Sequence, residues 1–87
     1  MRLSVLEYVL KKQGERGDSD TRTAKLLGVA QPSFHKFKQG GVSIRAEFLI
    51  NYVHNTGYEV ALIPKEHVGL LNDSVVLLDH GFDVQEG

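Results

Sequence analysis

Eighty-seven residues with no cysteine and a formal net charge of −1 describe one small domain, with neither a disulfide framework nor a thiolate metal site. The opening stretch MRLSVLEYVLKKQ has too short an apolar run, and no small-residue cleavage pattern, to read as a signal peptide. Nowhere do the ~18 consecutive apolar residues of a membrane span appear, so the expected location is cytoplasmic.

Ser4 and Glu7 have the spacing of a capping box, and Leu3 and Tyr8 stand where a hydrophobic staple belongs. A first helix is therefore expected from Ser4, with Leu6, Val9 and Leu10 as a short apolar stripe and Gly14 as its stop. The polar turn GERGD follows. Ser19 is the N-cap of a second helix through Leu27, and Gly28 ends it by tolerating positive φ. A third helix is expected from about Gln31 to Gln39, ended by Gly40-Gly41. Ser43 caps a fourth, IRAEFLINYVHNT, in which Ile44, Phe48, Leu49, Tyr52 and Val53 recur at helical spacing up to Gly57.

Beyond Gly57 the period changes. In YEVALIP, Tyr58, Val60 and Leu62 alternate with Glu59, Ala61 and Ile63, which reads as a strand ended by Pro64. SVVLLD, residues 74 to 79, is a second strand candidate, and KEHVGLLN between them reads as a loop or one helical turn. The fold class is thus mainly α: a helix-turn-helix bundle of about four helices with a C-terminal strand or β-hairpin. Residues 1–57 form the helical domain and 58–87 the strand-forming segment.

Residues 19 to 40 fit one steric scheme. Two helices crossing steeply over a short turn need a small residue in the first, and Ala24 supplies it. Four residues later the chain must leave the helical region, and Gly28 permits that. Val29 pins the turn, Phe34 and Phe37 anchor the second helix three residues apart, and Leu27 completes the shared core. Pro32 stands in the first turn of the third helix, where its missing N–H would lack a partner anyway.

With the phenylalanines inward, helical spacing turns Gln31, Pro32, His35, Lys36 and Gln39 outward. Gln31 can pair with adenine, Lys36 can reach guanine, and the Pro32 ring can rest on a thymine methyl. Ser33 and His35 are further candidates for base or phosphate. Charge supports a polar partner. From Thr21 to Ala46 there are five basic residues (Arg22, Lys25, Lys36, Lys38 and Arg45) and no acidic one. From Tyr58 to Gly87 six acidic residues face only Lys65. Arg22, Lys25, Lys38 and Arg45 are assigned to phosphate, with Thr21 adding a hydroxyl near a helix N-terminus.

The stretch TRTAKLLGVAQPSFHKFKQGG resembles the helix-turn-helix of phage Cro and related repressors, in the wider Cro/cI-type (Xre-like) family. The T-[KR]-T-A-K-x-L-G-V-x-Q core carries the resemblance, which extends through GYEVALIPK to cover roughly residues 19 to 65. It implies base contacts at Gln31 and Lys36, and repression by covering promoter DNA. Two departures stand out: Pro32 where serine is common, and a longer, more charged spacer after the first helix. The helix-turn-helix ends of Fis- and TyrR-like regulators share the Ala-to-Gly core, but not the following helix and strand.

The expected function is a homodimeric, sequence-specific regulator of double-stranded DNA. Tail strands would pair across a two-fold axis through Val60, Leu62, Val75, Val76, Leu77 or Leu78, setting two recognition helices about one DNA turn (~34 Å) apart. The alternative is a protein-interaction module or antitoxin whose C-terminal strands, with Leu70 and Leu71, bind a different protein. No cofactor or metal is expected: histidines 35, 54, 67 and 80 share no helix face. Ser74, Asp79 and His80 supply the residue types of a hydrolase without its surrounding pattern, so no enzyme is expected.

Overall fold

The computed structural model of the chain describes residues 2–64, 66, 67 and 76–78. It is mainly helical. The elements are β1 (Arg2–Ser4), α1 (Val5–Arg16), α2 (Asp20–Leu27), α3 (Gln31–Lys38), α4 (Ala46–Asn55) and β2 (Val76–Leu78).

Both serine caps at the start of the chain form. Ser4 Oγ accepts from the Glu7 N–H and the Glu7 carboxylate accepts from the Ser4 N–H, each at 3.1 Å. Ser19 Oγ accepts from the Arg22 N–H at 3.1 Å and opens α2. Each satisfies an amide that the first turn of a helix leaves without a partner. Leu3 packs against the core and Tyr8 is buried within it, as the staple requires.

α1 does not stop at Gly14. It runs to Arg16 and closes at Gly17, whose φ is 71°. The Gly17 N–H donates to Gly14 O and the Asp18 N–H to Gln13 O at 3.1 Å, so the last-turn carbonyls are answered one glycine later than expected. An ion pair of Arg16 with Asp18 at 2.7 Å holds the exit. Leu10 also departs from the expected stripe: it is exposed, and the buried face of α1 is Tyr8 and Val9.

Ser43 does not cap α4. The N-cap is Arg45, with no side-chain hydrogen bond to the helix. Ile44 explains the delay, since it is buried in the core and lies before the first helical residue. The helix starts only once that anchor is set. α4 then buries Tyr52 and Val53, with Phe48 and Leu49 packed against the core.

The core joins Tyr8, Val9, Ala24, Leu26, Leu27, Phe34, Phe37, Ile44, Tyr52 and Val53. Tyr8 and Tyr52 meet edge to face with ring centres 6.3 Å apart. Thr23 is fully buried, and its hydroxyl donates to Ser19 O at 2.9 Å, one turn back. No helix among the described residues is long and apolar enough to cross a membrane.

The expected strand over 58–63 is absent. Residues 58–64 have no regular structure; Tyr58, Val60 and Leu62 are exposed, Leu62 completely. The Tyr58 N–H is already used, donating to Val53 O at 2.9 Å to close α4. Alternation prepares a strand only where a neighbouring backbone edge accepts it, and this segment meets none among the described residues. The C-terminal hairpin built on it is therefore absent among the described residues, and Val60 and Leu62 lie in exposed coil. β1 instead lies parallel to β2, Arg2 opposite Val76 and Ser4 opposite Leu78. Of the other C-terminal positions, Leu70, Leu71 and Val75 lie outside the described residues.

Candidate nucleic-acid interface

The angle between α2 and α3 is set within three residues. Gly28 takes φ 84°, and its N–H donates to Ala24 O and Lys25 O while the Val29 N–H donates to Ala24 O at 3.0 Å. The reversed hydrogen bonds end α2 and turn the chain toward α3. Two carbonyls of the last turn remain, and α4 answers both. Asn55 Nδ2 donates to Leu26 O at 2.9 Å, and Asn51 Nδ2 lies 3.5 Å from Leu27 O. Close approach follows: a Cβ on residue 28 would sit 3.1 Å from Asn51 Nδ2.

α3 is held from inside by Phe34 and Phe37, both buried. Its opening turn carries Pro32 as expected, and Ala30 precedes it without a side-chain cap. The outward row is as the spacing requires. Gln31, Pro32, His35, Lys36 and Gln39 are exposed and Ser33 is half-buried. On α2, Thr21, Arg22 and Lys25 are exposed beside the buried Thr23, Ala24, Leu26 and Leu27.

The structure brings some of these residues together. Thr21 Oγ1 donates to Gln31 Oε1 at 3.0 Å, joining the exposed start of α2 to the exposed start of α3. Arg22, Lys25 and Lys36 have no carboxylate within ion-pair distance among the described residues. Arg45 is the N-cap of α4, with its guanidinium 3.8 Å from Glu47.

Lys38, expected at phosphate, is engaged by a carboxylate of the chain itself. Its ammonium is 2.9 Å from Asp20 Oδ2, and it lies 5.7 Å from the Phe34 ring centre. Asp20 Oδ1 meanwhile accepts from Gln13 Nε2 at 2.7 Å. One carboxylate thus ties α1 to α3 from the first position of α2, where a negative charge also favours the helix N-terminus. The Lys38 bond first, then the Gln13 bond, hold the Asp20 carboxyl below its ordinary range. The Asp20 carboxylate is in this way paired within the chain itself.

Asp20, Gln13, Asn51 and Asn55 were not singled out by sequence reasoning. Asp20 lies one residue before the acid-free window, and its partners are 7 and 18 residues away. The asparagines sit at i and i+4 on α4, a spacing that marks one helix face and is the only trace they leave in the sequence.

The surface therefore combines hydrogen-bonding side chains on one helix with cations on both, over a rigid apolar anchor. It can meet a polyanion and read the groups exposed between its charges. Comparison with protein-family models, with curated proteins and with solved structures gives no match to this chain.

Proposed function

We propose that this chain is a sequence-specific double-stranded DNA-binding regulator, a cytoplasmic homodimer that represses transcription by covering promoter DNA. Binding, and not catalysis, is its activity. One observation carries the reading: Phe34 and Phe37 are buried under α3 while Gln31, Pro32, His35, Lys36 and Gln39 are exposed, and the cations Arg22 and Lys25 are exposed on α2. A helix of this kind fits the major groove, where base edges differ in donors and acceptors. Cations flanking it supply affinity without sequence information. The C-terminal segment, which carries β2 (Val76–Leu78), is proposed as the dimer element.

The test is selection of bound duplexes from a random pool by the purified chain at moderate salt. A two-fold symmetric site with half-sites about one turn apart is the expected result, and recovery of nothing above background overturns the reading. On the selected site, Lys36→Ala should cost ~1–3 kcal/mol and relax preference at one base pair. Equal weakening on every duplex would make Lys36 a phosphate contact instead.

A second reading is favoured by the exposed apolar residues Tyr58, Val60, Leu62 and Ile63. In it, segment 58–87 binds a different protein, as an antitoxin does. Size-exclusion chromatography separates the two: a monodisperse homodimer supports the first, and aggregation of the lone chain supports the second.

A further inference from the structure

Gln31 and Thr21 are both exposed, yet the hydroxyl and the amide meet at 3.0 Å across ten residues. Folding gains little from such a bond, because water would satisfy either group nearly as well. Its effect is on orientation. A glutamine amide presents an oxygen on one side and an NH₂ on the other, and rotation exchanges them. Thr21 is β-branched and sits on a helix, so its hydroxyl is offered in few positions. The helix beneath it is fixed in turn: Asp20, one residue earlier, is gripped by Gln13 and Lys38.

We propose that Thr21 is a positioning residue for Gln31, setting which base Gln31 reads. The inference rests on the DNA-binding reading and assigns Thr21 a task other than phosphate contact. With the threonine proton on Oε1, the Gln31 NH₂ is turned away from the protein, and one lone pair of Oε1 remains to accept. That arrangement matches adenine, whose N7 accepts and whose N6 donates. Without Thr21 the amide turns over freely, and discrimination between adenine and guanine at that base pair falls.

A double-mutant cycle on the duplex selected by the wild-type chain tests this, using Thr21→Val, Gln31→Ala and the pair together, with Thr21→Ser as the conservative variant. Thr21→Val should lower the preference for the selected base about two- to tenfold at one base pair, with an unchanged melting temperature. In the Gln31→Ala background it should add nothing, and Thr21→Ser, which keeps the hydroxyl without the β-branch, should retain more of the preference than Thr21→Val. Losses that add, or a uniform weakening on all duplexes, would give Thr21 its own phosphate contact and overturn the proposal while leaving the DNA-binding reading intact. A wild-type chain that selects no duplex overturns both.

Discussion

Residues 24 to 37 and residues 58 to 63 both carry apolar side chains at regular spacing, and they meet different fates. Ala24, Leu27, Phe34 and Phe37 are buried together across the turn at Gly28. Tyr58, Val60 and Leu62 lie exposed in coil. In the first region each helix supplies its own backbone hydrogen bonds, and the apolar faces need only find each other over three residues. In the second, a strand depends on a partner's backbone, which local pattern cannot supply. Periodicity names the face that burial would use; it does not provide the surface that buries it.

The contrast can be broken by mutation. Phe34→Ala should cost the most, about 3–5 kcal/mol in a denaturant titration; a loss below about 1 kcal/mol would deny that this ring anchors α3. Gly28→Ala comes next, at about 1–2 kcal/mol for the left-handed backbone plus the crowding of Asn51. The control is Gly57→Ala, which has positive φ but open space around the added Cβ. It should cost measurably less, and equal costs would remove the Asn51 contact from the account.

Asp20→Asn tests the charge that binds the first region. Because the Lys38 and Gln13 bonds depress the folded Asp20 value, its contribution is present above the unfolded value of about 3.9 and is lost as pH falls through the folded one. The melting-temperature difference between wild type and Asp20→Asn should therefore shrink as pH drops below about 4. A difference that grows on acidification would reverse the sign of the linkage. Smallest of all, Leu62→Ser should stay within about ±0.5 kcal/mol, and a larger loss would give the exposed segment a packing partner after all.

The legible parts of the molecule are those fixed by neighbours in sequence. Ser4 with Glu7, Ser19 with its own first turn, Gly28 with Ala24 and Pro32 in an opening turn act over a few residues, and each is found where the sequence puts it. Ile44 was legible as core but not as the reason α4 begins late, because burying it fixes the chain before the helix can start. The outward row of α3 followed from the inward pair by geometry alone. The engagement of Lys38 did not, since nothing near residue 38 indicates that Asp20 will be beside it. Long-range polar contacts leave no periodic mark.

The two asparagines of α4 bear on how this small domain opens. Leu26 O and Leu27 O have their partners on another helix, so α4 cannot peel away without uncovering the end of α2. Local opening and global unfolding are separate events only where an element can leave alone. The end of α2, the turn at Gly28 and α4 should therefore open as one cooperative unit, with their amide protons exchanging with solvent together. The orientation of α3, set by the turn at Gly28, should then be lost only when that unit opens.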